Sequence, residues 1–175
     1  TRAGARRNIE AHYDLGDDFY ALWLDGTMTY SAALFDAPDE ALEAAQLRKY
    51  RRILTQLGAR PGQTVLEIGC GWGGFAEVAA TEFGCRVLGL TLSPAQLAHA
   101  RARAERGGYA RLVDFELCDY RDVRGQYDHI VSIEMIEAVG QGFWPAYFGQ
   151  LAAPLNPRGR RPPDANTTAD GPVAR

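Results

Sequence analysis

The sequence predicts an α/β fold, a doubly wound parallel sheet with helices preceding it and an incomplete C-terminal end. Three observations predict it. Short apolar runs at 65–68, 87–91, 113–117 and 129–133 have the length of buried parallel strands. Helix-length stretches bounded by turn residues separate several of them. The first run also passes directly into a turn carrying Gly69, Gly71, Gly73 and Gly74, where such sheets receive cofactors.

The elements follow in order. Residues 8–24 have helical spacing in Ile9, Tyr13, Phe19, Tyr20 and Trp23, interrupted by Gly16. Pro38 and Asp39 are expected to open a second helix, with Asp39 as its N-cap. Its apolar positions Leu42, Ala45, Tyr50, Ile53, Leu54 and Leu57 follow one face, and Gly58 stops it. Pro61 and Gly62 turn the chain into the first strand. A helix over 75–83 then rides on the glycine turn. Strand 87–91 leads to a helix over 94–106, capped by Ser93 and ended by Gly107 and Gly108. Strands 113–117 and 129–133 and a helix near 143–151 complete the pattern. After Leu155 the chain is almost without apolar residues and carries four prolines, Pro157, Pro162, Pro163 and Pro172, so disorder is expected there. The chain thus divides into a helical segment at 1–62 covering the cofactor site, an α/β core at 63–156 and a tail at 157–175.

Composition bounds the rest. The 175 residues are 46% hydrophobic and 23% charged, enough for one domain with a sizeable core. A formal net charge of −3 argues against nucleic-acid binding by bulk electrostatics. Cys70, Cys85 and Cys118 lack C-x-x-C spacing, which suits a reducing compartment and offers no zinc site. His99 and His129 are not spaced with carboxylates as metal ligands, so no metal is assigned. His12 reads as a local packing or hydrogen-bonding residue. Lys49, the sole lysine, belongs with Arg48, Arg51 and Arg52 to a charge cluster read as a solvated helix face, with a membrane-surface role as the alternative. No apolar run approaches the roughly 20 residues of a membrane span.

At the glycine turn, missing side chains let a flat, polar cofactor lie against the peptide planes. Gly69, Gly71 and Gly74 also satisfy dinucleotide spacing. Two neighbours favour a methyl donor. Glu67 stands on the strand two residues before the first glycine, where its carboxylate can reach a ligand ammonium or fix the loop. The second strand ends in Thr91 rather than the acidic residue that an NAD ribose usually requires.

Several longer motifs then point to a family. They are HYDLGDDFYALWL at 12–24, MTYS at 28–31, EAAQLRK at 43–49, GCGWGG at 69–74, LTLSPAQ at 90–96, DYRD at 119–122 and DHIVSIEMIE at 128–137. In this order the chain resembles the cyclopropane-fatty-acyl-phospholipid synthases and mycolic acid cyclopropane synthases, which are S-adenosylmethionine-dependent methyltransferases. The likeness runs from Asn8 to about Asn156. The glycine turn is generic to methyltransferases, whereas the first and last motifs are far more specific. The resemblance implies a Rossmann-like class I methyltransferase sheet. It also implies that Gly69, Gly71 and Gly73 lie along the methionine and ribose portion of the donor, with Tyr30 and Ser31 closing over it. Thr91 and Gln96 would serve the ribose hydroxyls, and Asp119 and Tyr120 the adenine. Without the family pattern, Thr91 and Ser93 could simply end a strand and cap a helix, Tyr30 could be core, and Asp119 could make a turn.

The implied reaction is methyl transfer to the cis double bond of an unsaturated acyl chain, followed by proton loss that closes a cyclopropane ring. The family uses bicarbonate as base. Glu137 matches the carboxylate that positions this ion, and the Ile133 backbone matches its main-chain contact, although Glu137 could instead cap the fourth strand. The resemblance further implies phospholipid acyl chains at the inner membrane face as substrate, a cytoplasmic, peripherally bound enzyme, no nucleic-acid partner, and room for a homo-oligomer.

Departures are equally specific. Many relatives have Tyr-Ser-Cys where this chain has Tyr30-Ser31-Ala32, and Phe-Glu-His where it has Ile136-Glu137-Ala138. A Tyr and a His from later strands have no counterpart. The sequence therefore reads as a fragment whose Arg- and Pro-rich tail fits a shifted reading frame, and the 175-residue chain is expected not to cyclopropanate lipids. The rival readings are an inactive remnant retaining a cofactor pocket, a class I methyltransferase acting on a small molecule, and an NAD-dependent oxidoreductase.

Overall fold

A computed structural model describes residues 17–140, 142 and 144–152. Its elements are α1 (Asp17–Ala21), α2 (Leu42–Leu57), β1 (Thr64–Ile68), α3 (Gly74–Thr81), β2 (Arg86–Thr91), α4 (Pro94–Gly107), β3 (Val113–Leu117), β4 (His129–Ser132), α5 (Ile136–Val139) and α6 (Trp144–Ala152). Of the helix expected over residues 8–24, residues 8–16 lie outside the described residues, as does the tail 157–175, and the described part is helical over Asp17–Ala21.

The sheet is parallel throughout, in the order β3-β2-β1-β4. Val65 pairs with Val87 on one side and with His129 on the other. Strand order therefore reverses at β1: β2 and β3 step outward in one direction, and the chain returns to place β4 on the opposite edge. Such a reversal opens a crevice beyond the C-terminal ends of the central strands.

Side-chain alternation along β1 divides the core into two layers. Val65 points to the face covered by α2, α3 and α4, where it meets Leu54, Leu57, Phe75, Val78, Ala100 and Phe115. Leu66 and Ile68 point to the other face, with Leu90, Ile130 and Leu151 of α6. Removing one such fully buried aliphatic side chain from water contributes on the order of 2 kcal/mol. By the same alternation Glu67 belongs to the α2–α4 face, flanked in register by Gly89 and Val131.

Strand positions agree with the sequence to within a residue. Helix starts agree as closely at Gly74, Pro94 and Trp144, and the second helix is the exception. The second helix begins at Leu42, and Asp39 is not its cap: Ala41 occupies that position without a side-chain hydrogen bond. The acidic residue engaged there is Glu40, whose carboxylate accepts from the Asp36 amide (2.7 Å) and from Arg48. At the other end Gly58 takes φ 67° and donates its N–H to Leu54 and Thr55, as expected of a glycine stop. Ser93 does cap α4, accepting from the Gln96 amide at 3.3 Å, with Pro94 opening the first turn.

Candidate functional site

A cavity of about 390 Å³ opens at the C-terminal ends of β1, β2 and β4. Its floor is the glycine turn. The Gly69 and Cys70 amides both donate to the Leu90 carbonyl, at 3.0 and 2.8 Å, so the turn is pinned to the end of β2. Gly71 holds φ 53°, and a Cβ built there would meet nothing within 4 Å because it would project into open space. Gly73 differs. It does not line the cavity, and its Cβ would stand 3.2 Å from that of Ala100 and 3.3 Å from the Phe115 ring. It is the N-cap of α3 at φ 85° and lets that helix approach α4 and β3.

Glu67 forms part of the wall and is 4% exposed. Its Oε2 has no hydrogen-bond partner among the described residues. Burial pushes this carboxyl well above the usual range, because the charged form lacks water. A buried, unpartnered carboxylate oxygen facing a cavity suits a ligand bearing a cationic donor. On the β2 side the Thr91 hydroxyl donates to the Gln96 carbonyl oxygen at 2.9 Å and accepts from the Ser93 amide at 3.1 Å. That pair fixes the orientation of the Gln96 amide along the cavity wall.

Tyr30 and Ser31 line the opposite rim, and Ile133 lines the side that follows β4. Asp119 and Tyr120 do not line this cavity. The Asp119 carboxylate accepts from the Arg121 amide at 3.0 Å and from its Nε at 2.8 Å. Tyr120 packs edge-on against Tyr147, with ring centroids 5.2 Å apart. Glu137 stands in α5, and its side chain lies outside what is described.

Other wall residues were not singled out from sequence. Trp72, between two of the glycines, is buried against Tyr20 with ring centroids 5.0 Å apart. Thr29 and Tyr50 share a buried hydrogen bond of 2.9 Å between their hydroxyls, and burial pushes the Tyr50 phenol upward. Tyr50 follows the apolar stripe of α2, so its inward position was legible. Glu134 and Met135, by contrast, reach the cavity through a turn in which Glu134 adopts φ 50°, which no composition signal announces. Lys49 also departs from expectation: it is buried, with its Nζ bonded to Ser31, Ala32 and Gln46. Among the described residues no cluster of His, Cys, Asp and Glu could hold a metal ion, and no helix is long and apolar enough to cross a membrane.

Comparisons with known proteins agree on one family. The model for mycolic acid cyclopropane synthetase matches residues 1–168. Tuberculostearic acid methyltransferase UfaA1 of Mycobacterium tuberculosis is 48% identical over 166 residues, covering 91% of this chain and 39% of its own length. The cyclopropane-fatty-acyl-phospholipid synthase of Escherichia coli is 41% identical over 148 residues, covering 85% of this chain and 37% of its own. Mycolic acid cyclopropane synthase CmaA1, crystallised with SAH and CTAB, superposes with a TM-score of 0.83 at 37% identity, covering 87% of this chain and 53% of that one. The chain thus spans about two fifths of the length of these curated relatives.

Proposed function

The chain belongs to the mycolic acid cyclopropane synthetase family, and we propose that its cavity holds S-adenosylmethionine for methyl transfer to the double bond of an unsaturated lipid acyl chain. The observation that carries this reading is the pairing of Glu67 with Gly71 across one cavity. A buried carboxyl without a partner keeps its proton until a cationic donor stabilises its charge, and the α-ammonium of S-adenosylmethionine supplies one. The space a Cβ at Gly71 would occupy is left for the ligand's backbone-hugging portion. A solved relative of 37% identity was crystallised with SAH.

Bound there, the sulfonium supplies an electrophilic methyl group. This chain's own groups orient it: Glu67 holds the ammonium, Gln96 offers both donor and acceptor to the ribose diol, and Tyr30 and Ser31 close the open side. Asp119 and Tyr120 would serve the adenine only after Asp119 exchanged its bonds to Arg121. By resemblance, Glu137 and the Ile133 main chain would hold a bicarbonate base for ring closure. Half-exposed Phe19, Trp23 and Phe35 stand on the same N-terminal stretch as Tyr30. They give it an apolar surface suited to a lipid headgroup boundary, which supports peripheral binding to the cytoplasmic membrane face with phospholipid chains as substrate.

Calorimetric titration with S-adenosylhomocysteine and with NAD tests the cofactor. Tighter binding of the first is expected, and tighter binding of NAD would overturn the reading. Labelled methyl transfer into vesicles of unsaturated phospholipid, with saturated vesicles as control, tests the acceptor in the longer family protein into which residues 1–156 are grafted. Equal incorporation into both vesicle types would remove the double bond from the proposal.

A further inference from the structure

We propose that Lys49 is a positioning residue whose ammonium anchors Ser31 and Ala32 as the rim of the cofactor cavity, with Glu134 as the opposite anchor. The inference rests on the cofactor reading above for its consequence, though not for its geometry.

Lysine almost never stays buried unless its charge is paired. Lys49 is 9% exposed in the middle of α2. Its Nζ donates to Ser31 Oγ at 2.5 Å, the Ala32 carbonyl at 2.8 Å and Gln46 Oε1 at 2.7 Å. An ammonium has three N–H donors and no acceptor, so these three oxygens satisfy it completely. Gln46 turns its own Nε2 back to the Ser31 carbonyl at 2.8 Å. From the other side the Ala32 amide donates to Glu134 Oε1 at 2.7 Å. Both oxygens of Ser31 and both main-chain polar groups of Ala32 are therefore tied, to α2 and to the turn after β4.

The arrangement matters because residues 30–35 have no helix or strand of their own. Their position comes from these bonds, from the Leu34 amide on the Ala45 carbonyl at 3.3 Å, and from the Tyr30 ring packed edge-on against Tyr20 and Trp23. Tyr30, Ser31 and Glu134 all line the cavity. What fixes Ser31 and Ala32 therefore fixes the rim.

The charge state of Lys49 is open to titration near neutrality. Burial draws it down to about 8, while Glu134 and Asp25 favour the ammonium. Among the described residues the Tyr50 ring, on the same helix, also faces Nζ, at 4.9 Å. A neutral amine has only two N–H donors for the three oxygens, so as pH rises through that value one of the three bonds is lost or reversed and the charge that strengthens the rim bonds to Ser31 and Ala32 is removed.

The test compares the wild-type chain with K49R, K49M and K49Q. Affinity for S-adenosylhomocysteine is measured between pH 6.5 and 9.5, and amide hydrogen exchange of Ala32 and Leu34 is followed without ligand. Wild-type affinity should fall at least fivefold from pH 7 to pH 9, whereas K49R should show no such step. K49M and K49Q should bind at least tenfold more weakly at pH 7 and exchange Ala32 and Leu34 at least tenfold faster, with strand amides unaffected. Unchanged Ala32 protection in both neutral variants would overturn the anchoring outright, as would variant affinities within twofold of wild type and with its pH profile. If the wild-type chain binds no S-adenosylhomocysteine yet loses Ala32 protection in K49M, the anchoring stands and the cofactor reading fails.

Discussion

Gly71 and Gly73 stand two residues apart in one turn, yet alanine at each should fail in a different way. Both hold left-handed φ values, 53° and 85°. A Cβ in that conformation costs roughly 1–2 kcal/mol wherever it is placed. At Gly71 nothing further is added, since the new methyl group meets no atom within 4 Å. The protein should lose about 1–2 kcal/mol, roughly 2–8 °C in melting temperature for a chain of this size. At Gly73 the methyl group comes within 3.2 Å of the Ala100 Cβ and 3.3 Å of the Phe115 ring, and both neighbours are fully buried. Overpacking of that kind adds about 1–3 kcal/mol, for a total of about 2–5 kcal/mol. Ligand binding should rank in the reverse order. The Gly71 methyl group occupies the cavity, so Gly71→Ala should weaken S-adenosylhomocysteine binding at least tenfold, while the folded fraction of Gly73→Ala stays within threefold of wild type. Urea denaturation and calorimetry on the two variants provide the readouts. Equal stability of the two, or binding by Gly71→Ala within threefold of wild type, would refute this division of the turn into ligand-facing and packing glycines.

Glu67→Gln should remove a pH-dependent penalty. The folded carboxyl titrates above its unfolded value. As pH rises past the ordinary carboxylate range, the unfolded chain therefore releases a proton that the folded chain keeps, and stability declines by up to about 1.4 kcal/mol per pH unit until the folded group ionises. Urea titrations at pH 4, 5 and 6 should show this slope in wild type and not in Glu67→Gln, while the variant binds S-adenosylhomocysteine roughly 10- to 100-fold more weakly through loss of a charged hydrogen bond; identical slopes would count against it. Alkylation followed by intact mass should mark Cys118 before Cys70 or Cys85, because Cys118 is partly exposed and the other two are buried; labelling of Cys70 first would contradict the burial of the turn.

The sheet was legible because each strand is a short apolar run between turn residues, and buried parallel strands need little else. The start of the second helix was less so. Pro38 and Asp39 look like an N-terminus, yet the carboxylate that engages the backbone there belongs to Glu40 and serves a turn before the helix. Lys49 reads as solvated with its arginine neighbours because charge runs usually are. The spacing of Ala45, Tyr50, Ile53, Leu54 and Leu57 already placed position 49 beside the buried stripe, and that signal was available. The partners of Asp119 were harder to foresee. Its pairing with Arg121, two residues away, and the packing of Tyr120 on Tyr147 depend on how the chain folds after β3, which neither periodicity nor spacing encodes. Glu134 was out of reach for the same reason, since its role comes from one unusual dihedral angle.

Met28 and Glu134 are the two non-glycine residues with positive φ among those described, at 55° and 50°, and both line the cavity. Glycine or asparagine at either position would relax the backbone by about 1 kcal/mol. A laboratory selection for heat resistance alone would be rewarded at Glu134, whereas at Met28 losing a buried side chain costs about 2–5 kcal/mol and outweighs the relaxation. The gain at Glu134 would come with a loosened rim, since Glu134 holds the Ala32 amide, while Met28 is held by its packing with Tyr20 and Trp72. Lineages enriched for ruggedness and lineages enriched for ligand capture should part company at position 134 first, which makes it the place where a screen must read both properties at once.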